Sequence, residues 1–438
     1  MEMETRRRLE RVNLVVLAVS AVCLVLAVLW YLADTKPGTL DRWWAVVITA
    51  TVFLITTGIA IIRPFTLTHH RTVAASVMAS VVFAAGIGLT WSMVSTDNGA
   101  EPIEGTRVGS PAAAEKYLDQ HGSKRMRHIP TGVMVQQMKF GGANEIDVSG
   151  YVWQRLAADV PERVRGVIFP EAENSYGLDE AYTYQHADGS KTIGWYFQVK
   201  LRQTFDYRHY PLDRQDVWLK LWTKDNTQQT ALVPDYSSYP PWMDSKKFGI
   251  DEGLVHADWM PYFSTWSYVQ HDHRSTQGSN AREYVNPGVW SDLYFNIGTK
   301  RAWVGSMFDS LIRTLIVAVI AFLALFLYTK ADDDRRAVFG FSTWGAITFT
   351  MSTLLVIVVD QAQVRSATGG GMLTYLECFA YVMYAVILGV SLNAVLLTAR
   401  REVRPVEWAD NRLPKLLYWP ALLGLLLAVT LLFFSDYP

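Results

Sequence analysis

Cysteines are scarce in this chain, and neither sign of charge dominates it. Its 438 residues include two cysteines, Cys23 and Cys378, and both lie inside hydrophobic stretches. A disulfide framework in the polar part of the chain is therefore excluded, and so is a zinc site built from cysteines. With a formal net charge of −1, the composition gives no reason to expect a nucleic-acid partner.

Catalytic signatures are missing as well. The sequence has no Gly-x-Ser-x-Gly, no phosphate-binding glycine loop and no His-Glu-x-x-His. The triplet His271-Asp272-His273 has an alternation that suits metal chelation, but Arg274 and the lack of an obvious third ligand favour a solvated turn. We therefore expect no enzyme activity, no cofactor and no metal site.

Long hydrophobic runs, in contrast, are abundant. Three precede and four follow a polar block at residues 95–301, and each approaches the roughly 20 apolar residues that cross a bilayer. The first lacks a convincing cleavage site, so we expect it to stay as a membrane helix. The seven runs are residues 13–33, 43–62, 72–94, 308–329, 337–359, 373–398 and 415–435.

Positive charges indicate how these helices are oriented. Arginine and lysine residues cluster before the first run and in the short loops after the second, fourth and sixth runs. All four groups fall on one side of the membrane, which the positive-inside rule makes the cytoplasm. We expect a multi-pass protein of the cell membrane with a cytoplasmic N-terminus. The polar block is then periplasmic or extracellular.

The polar block has the period-two pattern of half-buried strands. Residues 194–202 and 216–222 alternate in this way, residues 187–190 have the composition of a hairpin turn, and residues 112–121 have a helical period. Repeated short strands predict an antiparallel β-sandwich. The apolar positions of the two strands are Trp195, Phe197, Val199 and Leu201 in the first, and Val217, Leu219 and Leu221 in the second.

One loop in this block resembles a loop of a known protein family. Residues 205–215 read Phe-Asp-Tyr-Arg-His-Tyr-Pro-Leu-Asp-Arg-Gln and resemble the signature loop of bacterial pentameric ligand-gated ion channels, the superfamily that includes Cys-loop receptors. The half-cystines of animal members would fall at Gln203 and Val217, so the disulfide is absent, as in bacterial relatives. The resemblance implies a gating loop formed by Tyr210, Pro211, Leu212 and Asp213.

The resemblance also implies a domain plan for a membrane α+β fold. Residues 131–302 would form an extracellular ligand-binding-like β-sandwich, and residues 303–438 a four-helix transmembrane pore domain with its pore helix at about 337–359. Residues 1–95 form three additional transmembrane helices that the family's common core lacks, and residues 96–130 are expected to be a linker or an extra subdomain. The implied location is a bacterial inner membrane.

Pore residues follow from the same resemblance. It implies a lining stripe of mixed polar and apolar character, in which hydrophobic positions can form constrictions. Asp334, at the cytoplasmic mouth, would give a ring of carboxylates that favours cations, although a solvated charge run that ends a helix remains an alternative. The implied lining residues are Val338, Ser342, Gly345, Phe349, Ser352 and Val356.

A ligand site is implied between neighbouring β domains of a homopentamer. Aromatic pockets hold cationic ligands by cation–π attraction, and His209 beside the signature loop offers a proton-sensing alternative. Strand aromatics also commonly fill the core, so that interpretation stays open. The candidate ligand-binding residues are Glu171, Tyr176, Trp222, Trp266, Tyr268 and Tyr284.

The function that the sequence predicts is a subunit of a ligand- or proton-gated channel that selects cations over anions. The main alternative is a non-conducting sensor that signals to a cytosolic partner through residues 400–415. A transporter is disfavoured because neither internal repeats nor broken helices are apparent. The expected partners are further copies of the chain, the lipid bilayer, permeant ions and a small ligand or protons.

Overall fold

A computed structural model describes most of the chain. The described residues are 2–32, 49, 53, 56, 69–96, 103–121, 126–173, 177–224, 230–254, 258–272, 289–327, 343–398 and 411–435. Within these ranges, the chain forms two β-sheets and a set of long apolar helices, which is a mixed α+β architecture.

Long helices flank the β-sheets in the chain. Among the described residues, two long helices precede the sheets, α1 (Glu2–Leu32) and α2 (His69–Thr96), and a short helix α3 (Pro111–Gln120) lies between the first and second strands. Within the same ranges, four long helices come after the sheets: α4 (Trp303–Leu327), α5 (Thr343–Thr368), α6 (Tyr375–Thr398) and α7 (Arg412–Phe434). Five of the described helices, α1, α2, α4, α6 and α7, are long and apolar enough to span a membrane, which is the pattern of a membrane protein. The predicted run at residues 43–62 lies almost entirely outside the described residues.

The strands form two five-stranded sheets. Sheet A has the order β1-β9-β10-β7-β4, and sheet B has the order β5-β6-β3-β2-β8. All neighbours are antiparallel except β2 and β8, which are parallel. The strands are β1 (Thr106–Val108), β2 (Arg127–Gly142), β3 (Glu145–Leu156), β4 (Val167–Ile168), β5 (Asp179–Gln185), β6 (Lys191–Arg202), β7 (Arg214–Thr223), β8 (Thr230–Pro234), β9 (Trp259–Asp272) and β10 (Val289–Arg301).

Side chains from both sheets share one hydrophobic core. The predicted alternation is confirmed in β6 and β7, where the apolar positions are buried and Gln198 and Arg202 on the other face of β6 are exposed. The hairpin turn is confirmed too, because Gln185 pairs with Lys191 across it. In these two strands, the period-two pattern of the sequence therefore identifies the face that points into the core.

The segment before β2 contributes to the β domain. Its predicted helix is confirmed as α3, where Ser110 caps the N-terminus by accepting a hydrogen bond from the amide of Ala113 at 3.2 Å. The ring of Tyr117 on α3 stacks on Tyr268 with centroids 4.9 Å apart. Strand β1 pairs with β9, so this part of residues 96–130 extends sheet A at its edge.

The four helices after the sheets pack against one another in antiparallel order. Thr350 and Arg365 of α5 bond to Ser391 and Glu377 of α6, respectively, and α4 and α7 meet where Tyr418 donates to the carbonyl of Ala318 at 2.7 Å. Helix α5 continues to Thr368, beyond the end predicted at residue 359. Residues 360–368, which lie beyond the predicted pore helix, are therefore helical as well.

Helix α2 lies along α7 in parallel. Ser76 donates to the carbonyl of Leu416 at 2.6 Å, and Arg412 donates to the hydroxyl of Thr72 at 2.8 Å. Small residues allow the close approach: a Cβ on Gly86 would lie 3.1 Å from Leu427. Glycine contacts of this kind let membrane helices gain dispersion energy along their length. One helix of the additional N-terminal region is thus part of the helix core.

Replacing Gly86 with leucine should separate α2 from α7. A Cβ at Gly86 already lies 3.1 Å from the side chain of Leu427, so a longer side chain would crowd it, whereas a Cβ at Gly88, two residues along the helix, meets nothing within 4 Å. Overpacking of this kind costs about 1–3 kcal/mol. We expect Gly86→Leu to lower the melting temperature of the detergent-solubilised protein relative to Gly88→Leu. Equal melting temperatures would show that the α2–α7 contact contributes little to stability.

Candidate functional site

The signature loop lies between the β domain and the helices. It connects β6 to β7 and turns through hydrogen bonds from the amide of Tyr210 to the carbonyl of Tyr207 and from the amide of Leu212 to the carbonyl of His209. The Tyr210–Pro211 peptide bond is cis. Leu212 is 4% exposed and belongs to the core of the helices, while the ring of Tyr210 packs against both cores. The loop is therefore a wedge shared by the two parts of the chain.

Hydrogen bonds fix this loop to three helices. The carbonyl of Arg208 accepts from the amide of Tyr375 at the start of α6, at 2.8 Å. Nε2 of His209 lies 3.0 Å from the carbonyl oxygen of Phe433 near the end of α7. Arg214, the first residue of β7, donates to the carbonyl of Val94 in α2 at 3.0 Å. Burial lowers the pKa of His209, which keeps its imidazole neutral against the α7 backbone at neutral pH.

A buried ion pair joins the loop to the last strand. The guanidinium of Arg301, at the end of β10, binds both carboxylate oxygens of Asp213, with Nε–Oδ1 at 2.7 Å and Nη2–Oδ2 at 3.2 Å. The Asp213 side chain is 1% exposed and that of Arg301 is 13% exposed. The guanidinium also lies 4.8 Å from the ring centre of Tyr210 and 4.1 Å from that of Trp259. These contacts lock the loop to the strand that leads into α4.

Removing one partner of this pair should destabilise the protein strongly. Arg301→Met leaves the Asp213 carboxylate buried without its countercharge, a change that costs about 3–5 kcal/mol in comparable pairs. The matched control is Lys200→Met, which breaks the half-exposed pair of Lys200 with Glu145 and should change the stability much less, because solvent screens such pairs. Thermal unfolding of both variants checks the difference, and similar losses would contradict the importance of the buried pair.

A second group of polar and aromatic side chains covers the face of sheet A that is turned away from the core. We call it the Lys220 cluster. Nζ of Lys220 lies 3.4 Å from Oδ2 of Asp292, and Nδ1 of His271 lies 3.0 Å from the same oxygen. Trp218 donates from Nε1 to Glu171 at 2.9 Å. The members are Glu171, Trp218, Lys220, Trp222, His271, Asp292 and Tyr294.

Two predicted ligand-binding residues belong to this cluster, and two do not. Glu171 lies on the loop after β4, and burial raises the pKa of its carboxyl, against the opposing effects of Trp218 and Lys220. Trp266 and Tyr268 are 0% and 1% exposed within the core between the sheets, so a ligand would contact them only if that core opened. Their location agrees with the alternative that strand aromatics fill the core. Tyr176 and Tyr284 lie outside the described residues.

Lys220 and Asp292 were not among the predicted site residues. The signal was present in the sequence, because both are charged and occupy the positions of β7 and β10 that alternate with buried apolar residues. Such positions normally face solvent, yet these two side chains are 9% and 4% exposed. Among the described residues, His271 joins no group of three potential metal ligands, and His273 lies outside them.

Asp216 sits on the same face, farther along β7 toward the membrane helices. Burial raises the pKa of its carboxyl to about 7, and the nearby carboxylate of Glu104 adds to the rise, while the backbone of Glu104 opposes it. A carboxyl group with a raised pKa stabilises the fold while it is protonated. Its contribution is fully present below about pH 4 and is lost as the pH rises through about 7.

Asp216→Asn should remove this pH-dependent loss. The amide stays uncharged, so the stability of the variant relative to the wild type should increase between pH 5 and pH 8, by on the order of 2–3 kcal/mol. Chemical denaturation at both pH values measures the difference. A constant difference across this range would mean that Asp216 titrates like an exposed aspartate.

On α5, three of the four described residues predicted to line a pore are exposed. Gly345, Ser352 and Val356 are exposed in the single chain, whereas Phe349 is half-buried and packs against the core of the helices. The buried side of α5 is held by polar contacts, including those of Asp360 with Ser310 at 3.0 Å and with Arg313 at 2.7 Å. Val338, Ser342 and Asp334 lie outside the described residues.

Comparison with known proteins provides no family for the chain. No protein-family model matches it, and no curated protein matches it either. The structural features that can indicate a function are therefore the loop at residues 205–215, the Lys220 cluster and the exposed face of α5.

Proposed function

We propose that the chain is a subunit of a pentameric ligand- or proton-gated ion channel of the bacterial type. One observation carries the proposal: Leu212 of the signature loop is buried among the helices while Asp213, the next residue, is held by Arg301 at the end of β10. A loop anchored on both sides is what transfer of movement from a sensing domain to a pore requires.

The strands provide the route for that transfer. The Lys220 cluster occupies the far ends of β7 and β10, and the Asp213–Arg301 pair occupies their ends next to the helices. Helix α4 begins at Trp303, two residues after Arg301. A stimulus at the cluster that shifts β10 against β7 would therefore move the loop and α4 together. Gating is then a population shift between a closed and an open arrangement of the helices.

The pore would form on the exposed face of α5. Five copies around an axis would turn Ser352 and its neighbours toward water, with α4 and α6 behind and α7 toward lipid and α2. We propose that the two sheets form a sandwich like that of Cys-loop receptors and that α4–α7 form the four-helix bundle of the pore domain. The N-terminus is cytoplasmic and the β domain is outside an inner membrane. An acidic ring at Asp334 would favour cations.

Cysteine labelling distinguishes a water-lined α5 from a lipid-facing one. Ser352 on α5 and Met78 on α2 are both exposed in the single chain, Met78 at 66%. In a version with Cys23 and Cys378 replaced by serine, we expect Ser352→Cys to react with a membrane-impermeant charged thiosulfonate. Met78→Cys, which faces lipid in our arrangement, should stay unreacted. Equal reactivity of the two positions would contradict a pore along α5.

Subunit counting and electrical recording test the function itself. Native mass spectrometry of the purified protein should give five copies, and planar bilayers containing it should show single-channel currents whose reversal potential follows the cation gradient. A monomer or dimer, or a pentamer that never conducts across a wide range of pH, would overturn the channel and favour a sensor.

A further inference from the structure

The outer face of sheet A holds an amino group inside a cage of aromatic rings. Lys220 is 8% exposed although it lies on the strand face away from the core. Its Nζ is 5.2 Å from the ring centre of Trp222 and 5.6 Å from that of Tyr294. Both distances lie within the range at which a ring face attracts a cation.

The register of the strands builds this cage. Tyr294 on β10 pairs directly with Lys220 on β7, and Trp222 stands two residues along β7 on the same face. The imidazole of His271 lies parallel to the Tyr294 ring, with centroids 6.3 Å apart, and its Nε2 is 3.3 Å from Nζ of Lys220. The rings are thus positioned by backbone pairing, so the cage does not depend on the lysine for its shape.

A buried carboxylate completes the site. Asp292 is 4% exposed and lies 3.4 Å from the ammonium group. Two ring faces and a desolvated carboxylate are the elements with which proteins recognise ammonium ligands.

We infer that this cage is a binding site for a primary ammonium group and that the chain fills it with its own Lys220. A tethered ammonium competes at an effective concentration of about millimolar or higher, so a free organic cation at lower concentration does not enter. The site becomes available to a small alkylammonium ion only when the lysine side chain is removed. One consequence for gating rests on the proposed function. Because Lys220 already occupies the cage, the stimulus that gates the channel is not a simple amine.

Chemical rescue tests the occupancy. Lys220→Ala removes the ammonium and three methylene groups, and n-propylammonium supplies an equivalent charge and length. We expect Lys220→Ala to melt at a lower temperature than the wild type and to be restored by millimolar n-propylammonium chloride in a saturable manner. Sodium chloride at equal ionic strength and n-propanol should have no such effect.

Two controls separate the cage from general effects. Lys200→Ala removes a lysine whose partner Glu145 is half-exposed, and its melting temperature should not respond to n-propylammonium. Lys220→Met keeps the cage filled with an uncharged chain, so it should not respond either. An equal response in all three variants, or none in Lys220→Ala, would overturn the inference.

The outcome does not depend on conduction. If Lys220→Ala folds poorly, the yield of folded protein replaces the melting temperature as the measurement. The cells are then grown, and the protein is extracted and purified, in the presence of n-propylammonium or of n-propanol. A higher yield with n-propylammonium than with n-propanol supports the cage, and equal yields overturn it. In bilayers, n-propylammonium at concentrations well below millimolar should leave wild-type currents unchanged, and a protein that carries no current would contradict the channel while leaving the melting result intact.

Discussion

The pairing of Asp213 with Arg301 constrains the position of everything at the boundary between the β domain and the helices. A desolvated carboxylate and guanidinium are tolerated only when each neutralises the other and the remaining hydrogen-bonding positions are satisfied. Gln215 meets part of that need by donating to Asp213 at 3.0 Å. Because the pair cannot separate cheaply, the loop follows the end of β10, and Leu212 carries that position into the helix core.

Helix α2 is bound into the same boundary. Trp91 donates from Nε1 to the hydroxyl of Tyr375 at 2.8 Å, and that hydroxyl lies 2.7 Å from Oγ1 of Thr430 on α7. The amide of Tyr375 in turn bonds to the signature loop through Arg208. An N-terminal helix, the start of α6 and the end of α7 therefore meet at one tyrosine. Any rearrangement of the loop must move this network or break it, so the added helix influences the energy of that movement.

The spacing of apolar residues in the sequence predicted several strands and helices of this fold. The features that it did not predict depend on contacts between segments that are distant in the sequence. Alternation identified β6 and β7 and their buried faces, and the helical period identified α3. Alternation does not say whether the second face of a strand meets solvent, which is why the burial of Lys220 and Asp292 was not foreseen. The phase of α5 was taken from a resemblance, and Phe349 differs because packing against α4 and α6 sets the rotation of that helix. The cage likewise depends on the register of β7 with β10, which no single segment encodes.

The exposed face of α5 shows why assembly, more than composition, determines what that helix does. The hydroxyl of Ser352 donates to the carbonyl of Thr348 at 2.9 Å within the helix itself, so its polarity is already satisfied and suits lipid as well as water. Around it, Met351 and Leu355 are 66% and 63% exposed. A single subunit therefore carries no internal signal that selects one environment. The polar contacts of Asp360 with Ser310 and Arg313 of α4 constrain which face is presented, and the number of copies around that face decides whether it meets acyl chains or an aqueous pore.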